Sequence, residues 1–220
     1  MTSTQRQSRG DAGAAIAHES AIKHVCGEAV YVDDQPIPTG GLHAYVGLST
    51  IARGRLVRLD LDAVRSAPGV IDVIGRDEVP GHIDIGPIYP GDPLMVGPGD
   101  EVEFHGQVLF AVAASSYTEA RYAASLARID YEPLPPCLSI EEGLEQQLFV
   151  RPAHTQRRGD AAAALVSAPQ RLQGDLRIGG QEQMYLEGQV SLCVPDEDGG
   201  MLVYSSTQNP TCLLYTSDAA

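Results

Sequence analysis

Hydrophobic and polar positions change their spacing several times along the chain, and each change marks an element. Residues 42–48 (LHAYVGL) alternate as a half-buried strand does, and residues 56–61 (LVRLDL) alternate again, with turn chemistry at Ala52-Arg53-Gly54 between them. Asp62 is placed to cap a short helix over 63–67 that Pro68-Gly69 stops, and 70–74 (VIDVI) returns as a strand. Between 81 and 99, five Gly and four Pro in 19 residues predict a long loop. Residues 108–114 (VLFAVAA) are continuously apolar, as a buried strand requires. Ser116 and Glu119 form a capping-box pair for a helix in which Ala120, Ala123, Ala124 and Ala127 recur at i, i+3, i+4 and i+7. A face of that kind lets a helix lie close on a sheet. Residues 129–134 (IDYEPL) extend and end at Pro135-Pro136, while 29–38 (AVYVDDQPIP) precede the whole set as a short extended segment ending in a turn.

The pattern then loosens. From Pro135-Pro136 a connector runs through a short helix near 139–147 to about residue 158, and Asp160 is placed to cap an Ala-rich helix over 161–166. Residues 171–178, 184–194 and 201–206 read as strands, the last two joined by a turn at 196–200 (DEDGG). Three strands and one short helix lack a covering layer, so a second domain begins here without closing a core. The expected division is a disordered leader at 1–17, a mixed α+β domain at 18–135, a linker at 136–158 and an incomplete second domain at 159–210. A non-native tail follows at 211–220. With its unpaired strand edges, the chain alone is expected to aggregate and to lack activity. There is no internal repeat and no low-complexity tract.

Composition narrows what such a chain does. Among 220 residues there is no Trp and only three Phe, so the core must be built from Val, Ile, Leu, Ala and Tyr. The formal charge is −14, from 29 acidic against 15 basic residues. That field repels nucleic acid and anionic membrane surfaces, and no Lys/Arg stripe offsets it locally. Residues 1–17 lack the apolar stretch of a signal peptide, and no apolar run approaches the ~20 residues of a membrane span. A cytoplasmic protein is the expectation. Cys26, Cys137, Cys193 and Cys212 show no CxxC spacing, and they read as small hydrophobes packed in a reducing compartment.

Few residues arrange themselves as a chemical motif. No GxxxxGK[ST] occurs, and no GxGxxG opens a helix after a strand; prolines interrupt the glycines of 81–99 and remove the N–H donors a phosphate cradle needs. His18, His24, His43, His82, His105 and His154 form no HxH, HExxH or HxxxH, which argues against a protein-ligated metal. No GxSxG marks a nucleophile. Asp33-Asp34 reads as turn chemistry before Pro36 rather than as a catalytic carboxylate pair. One stretch, 179–189 (GGQEQMYLEGQ), stands apart. Two glycines let a backbone come close to a bulky partner, and the amide of Gln181 then offers both a donor and an acceptor. Taken alone, the stretch fits a β-bulge with a surface Gln better than it fits a ligand loop.

The order of several short strings carries a resemblance. They are GEAVYVDD at 27–34, APGV at 67–70, VPG at 79–81, PGDEV at 98–102 and Gly106-Gln107. Ala120-Arg121 follows, then DYEPLP at 130–135, GGQE at 179–182, YLE at 185–187 and STQNP at 206–210. Together these resemble the molybdenum-binding subunits of the molybdenum hydroxylase family, xanthine dehydrogenase in particular, over about residues 18–210. The resemblance implies an α/β hammerhead domain followed by the truncated start of a molybdopterin-binding domain. It implies hydroxylation of hypoxanthine or xanthine at a molybdenum–molybdopterin centre, with electrons passed to Fe–S clusters, FAD and NAD. A partner subunit carrying the Fe–S clusters and FAD, and hence a hetero-oligomer, is implied with it. It also implies that Gln181 binds the cofactor by touching an oxo ligand of the molybdenum without bonding the metal. No catalytic residue is expected within these 220 residues, because the family's Gly-rich pterin loop, substrate-binding Arg and late Glu have no counterpart here. Gln183-Met184 stands where the family usually has His-Phe, and Arg53 where it has a His. An aldehyde or carbon monoxide oxidoreductase large subunit, and a non-catalytic hammerhead interaction module, are the competing readings.

Overall fold

The computed structural model describes residues 15–86 and 89–208. The expected leader at 1–17 lies almost wholly outside them, and the expected tail at 211–220, with Cys212, wholly so. Contacts gather the chain into two units. One is built from residues 40–184, and the other from the residues up to Thr39 together with Tyr185–Gln208.

The first unit holds six strands: β1 (His43–Leu48), β2 (Gly54–Asp60), β3 (Val70–Gly75), β4 (Glu101–Val102), β5 (Val108–Ala114) and β6 (Arg128–Pro133). They make two three-stranded sheets of order β1-β5-β3 and β4-β2-β6, antiparallel throughout. β5 is central in its sheet, which is why its sequence is apolar on both faces: Leu109, Phe110, Val112 and Ala114 are all buried. Gly47 on β1 pairs with Phe110. A Cβ at Gly47 would collide with that ring, so the close approach of β1 to the core requires glycine.

Helix α2 (Asp62–Arg65) and helix α3 (Tyr117–Ala124) close the core. α3 lies against β1 and β5, with Ala120 and Ala123 fully buried and Ala124 and Ala127 packed at the margin. The small side chains at helical spacing do what their pattern predicts. The start of α3 follows its capping signal too: Ser116 Oγ accepts from Glu119 N at 3.2 Å. Glu119 Oε2 in turn accepts from the hydroxyls of Ser116 at 2.8 Å and Ser115 at 2.6 Å. These donors, Ser115 first, hold the Glu119 carboxyl below the ordinary glutamate range. The start of α2 departs from expectation. Asp62 is its first helical residue rather than its cap; Leu61 occupies the cap position without a side-chain bond, and Asp60 Oδ1 accepts from Asp62 N at 3.2 Å.

Loop 81–99 is irregular as its glycines and prolines foretell, but one carboxylate gathers it. Asp84 accepts from the N–H groups of Gly86 at 3.0 Å, Gly91 at 2.7 Å and Asp92 at 3.2 Å. Those donors, Gly86 first, lower its carboxyl below the usual aspartate range. The short β4 has no periodic signal in two residues. The turn before it is built by Asp100, which pairs with Arg76 at 2.9 Å and accepts from Gly97 N at 2.8 Å. Gly106-Gln107 forms a similar brace. Buried Ser49 donates from Oγ to Phe104 O at 2.9 Å and accepts from Gln107 N at 3.1 Å. Several of the strings shared with the hydroxylases are thus turn-building parts of the scaffold.

Beyond β6, α4 (Ile140–Glu145) starts at Ser139, whose Oγ accepts from Glu142 N at 3.2 Å. α5 (Ala161–Ser167) starts at Asp160, whose Oδ1 accepts from Ala163 N at 3.0 Å. The strand expected at 171–178 is absent: the backbone has no ladder partner there, and Leu172, Leu176 and Ile178 are exposed. Alternation alone does not make a strand when nothing pairs with it.

In the second unit, the strand expected at 184–194 shortens to β7 (Ser191–Pro195), paired with β8 (Met201–Ser205) as an antiparallel hairpin. Its turn closes through Asp196 N to Gly200 O at 2.9 Å, with Gly199 at φ 81°. The extended segment expected at 29–38 is interrupted by a 3-10 turn, Val32–Asp34, because Asp34 Oδ2 accepts from Tyr31 N at 2.9 Å. Asp33-Asp34 is turn chemistry, as its sequence suggests. Helix α1 (Ala21–Cys26), ended by Gly27 at φ 75°, has no counterpart in the sequence-level prediction. Cys26 and Cys193 are exposed rather than packed as small hydrophobes, and Cys137 is half-buried. Cys26 lies on a six-residue helix with no buried face. Cys193 belongs to a hairpin that has no layer over it.

Candidate functional site

Gln181 lies in an irregular segment with no assigned helix or strand, so no β-bulge holds it. Its side chain is exposed, and no hydrogen-bond partner claims it among the described residues. A Cβ added to Gly179 or Gly180 would find nothing within 4 Å. The chain itself therefore does not use the room these two glycines leave. Beside it, Glu182 Oε1 accepts from Gln183 N at 3.1 Å. Met184 holds a positive φ of 49°, which turns the backbone at the position where a resemblance-based reading expects an aromatic ring.

In the second unit a polar cavity of about 390 Å³ is lined by Tyr185, Glu187, Gln189 and residues 205–208. Two strings far apart in sequence, 185–187 and 206–208, thus share one wall. The link between them is concrete. Ser206 Oγ donates to Gly188 O at 2.6 Å and accepts from Val190 N at 2.8 Å, while Ser206 N donates to Val190 O at 3.0 Å. A third string joins through Glu187, whose Oε1 accepts from Val32 N at 2.6 Å. Sequence reading missed this convergence because its partners are 155 residues apart.

A second cavity, about 680 Å³, opens in the other unit between residues 89–92 and 150–154. Arg151 stacks over the Tyr89 ring at 3.8 Å from its centroid there. Neither cavity is lined by Gln181. Among the described residues, no group of three or more His, Cys, Asp or Glu is arranged to hold a metal ion. Nor is any helix long and apolar enough to cross a membrane.

Comparison with known proteins assigns both halves. The family described as "Aldehyde oxidase and xanthine dehydrogenase, a/b hammerhead domain" matches residues 26–135, and "Molybdopterin cofactor-binding domain" matches residues 141–217. The chain is 36% identical to xanthine dehydrogenase/oxidase of Gallus gallus over 198 residues, which is 90% of this chain and 14% of that protein. It is also 36% identical to aldehyde oxidase 4 of Mus musculus over 201 residues, 90% of this chain and 15% of that protein. It thus spans about one-seventh of the length of the curated relatives it matches. Its fold matches that of the aldehyde oxidoreductase from Desulfovibrio gigas with a TM-score of 0.69 at 25% identity, over 85% of this chain and 23% of that one. The donor set suits the cofactor these matches imply. An unclaimed amide beside unfilled space offers two N–H donors and a carbonyl acceptor to a ligand rich in oxygen. The chain belongs to the aldehyde oxidase and xanthine dehydrogenase family of molybdenum hydroxylases, with an α/β hammerhead domain leading into the start of a domain for the molybdenum–molybdopterin cofactor.

Proposed function

We propose that the chain is part of the molybdenum-binding subunit of a xanthine dehydrogenase-type hydroxylase acting on a purine, hypoxanthine or xanthine. In this reading residues 18–135 are the hammerhead domain, 136–158 a linker and 159–210 the opening of the molybdopterin-binding domain. When bound, the molybdenum–molybdopterin cofactor supplies the redox capacity for hydroxylating a ring carbon. The chain's own part is to bind and orient. Gln181 would help to hold that cofactor, its side-chain Nε2 being the donor for an oxygen of the centre, and Gly179-Gly180 would keep the backbone clear for the approach. Fe–S clusters and FAD on a partner subunit would supply the exit for electrons, with NAD as acceptor, in a cytoplasmic hetero-oligomer.

The exposed, unclaimed amide of Gln181 behind two glycines with open space is the observation that carries this reading. Relatives named xanthine dehydrogenase/oxidase from Gallus gallus and xanthine dehydrogenase from Emericella nidulans, each 36% identical, support a purine substrate no more strongly than the aldehyde oxidase 1 of Oryctolagus cuniculus, 38% identical, supports an aldehyde. The test is turnover of xanthine against an aromatic aldehyde by the molybdenum-loaded holoenzyme that contains this chain and by its Gln181→Ala variant. Xanthine should be preferred, and the variant should lose about 10- to 100-fold in turnover or in molybdenum retained, as removal of an outer-sphere partner does. Faster turnover of the aldehyde would replace the purine reading, and an unaltered Gln181→Ala variant would remove the amide from the site.

A further inference from the structure

Glu187 reaches a backbone N–H that nothing nearby can satisfy. Val32 opens the 3-10 turn, where a first N–H has no partner inside the turn, and Glu187 Oε1 accepts from it at 2.6 Å. A carboxylate is the strongest acceptor a side chain offers for such a bond. Both ends of the contact are themselves braced. On one side Tyr31 N donates to Asp34 Oδ2 at 2.9 Å, and the Tyr31 hydroxyl meets His24 Nδ1 at 3.1 Å. On the other, the residue after Glu187 is tied down by Ser206 Oγ, which donates to Gly188 O at 2.6 Å. The contact therefore joins two stiffened pieces of chain. The two pieces belong to one compact unit although 155 residues separate them in sequence.

We infer that Glu187 is a positioning residue: it latches the 27–34 turn to the strand entry at 185–190 and so fixes the downstream anchor of the loop that carries Gln181. Glu187 lies six positions after Gln181 in the sequence, so the latch holds the chain just downstream of the amide. The consequence for Gln181 rests on the cofactor reading proposed above; the latch does not.

Amide hydrogen exchange of the purified protein, with and without molybdenum, tests the latch. Glu187→Ala should speed exchange at Val32 about tenfold, and leave β1 and β5 unchanged, because the lost bond is local. Glu187→Asp, one methylene shorter, should behave like Ala, whereas Glu187→Gln keeps an acceptor oxygen at full reach and should stay close to the parent. Molybdenum retention should follow the same order, falling in Ala and Asp and recovering in Gln. Unchanged Val32 exchange in Glu187→Ala overturns the latch. Loss of the latch without any change in molybdenum retention overturns its positioning role. Normal retention in Gln181→Ala with Val32 still protected would sink the Gln181 reading and leave the latch standing.

Discussion

Residues 40–135 and residues 136–208 both carry abundant apolar sequence, yet they bury it very differently. Every buried hydrophobic side chain among the described residues lies between residues 56 and 123. From 136 onward none is buried, and Met201, Leu202, Val203 and Tyr204 of β8 remain exposed. The first region brings two sheets and a small-faced helix together, so the inward-facing apolar positions, Leu56, Val73, Leu109, Phe110 and Val112 among them, find an opposing layer. The second has a single hairpin and short capped helices, and its apolar positions find none. Local pattern marks elements in both regions, though less reliably in the second, where 171–178 forms no strand. Burial depends on whether a second layer is present.

The largest expected effect tests that contrast directly. Phe110→Ala should destabilise the protein by about 3–5 kcal/mol, since it empties a fully packed site. Leu202→Ala, of comparable chemistry on an exposed strand, should change stability by less than about 0.5 kcal/mol. Denaturant unfolding of both variants measures the difference. Equal losses would mean that the hairpin is covered after all.

A smaller effect separates two caps that look alike. Ser116 and Asp160 each accept from the N–H three residues on. Their replacement by Ala should cost about 1 kcal/mol of helix stability in each case. Ser116→Ala should lower the unfolding midpoint of the whole sheet-bearing core, because α3 packs on it. Asp160→Ala should fray α5 and reduce helical circular dichroism while the core midpoint stays put. A shared shift in the midpoint would show that α5 is coupled to the core.

The smallest effect is a titration. Ser115 and Ser116 lower the Glu119 carboxyl, so the folded state binds that proton less tightly than the unfolded chain. Its stabilising contribution is therefore complete above the ordinary glutamate range and is lost as pH falls through the lowered value. Ser115→Ala should move the Glu119 titration upward, toward the ordinary value, as followed by carboxyl NMR shifts. A Glu119 titration that ignores Ser115→Ala would break the proposed cause.

Much of this was readable in the linear order of residues. The apolar run at 108–114, the alanine face at 120–127 and the caps at Ser116 and Asp160 all act through neighbours within a few positions. Their local pattern therefore carried the answer. The glycine pair and amide at 179–181 were also visible, together with the family that the ordered strings point to. Other features needed partners far away in the chain. Residues 171–178 alternate correctly and still form no strand, because no ladder meets them. Val32 and Glu187 meet across 155 residues, and no spacing rule links them. Hydrogen-bond propensity and hydrophobic period belong to short stretches and can be read from order alone. Which stretches face each other, and which acceptor reaches an orphan N–H, is set by three-dimensional packing, and only the tertiary structure decided it.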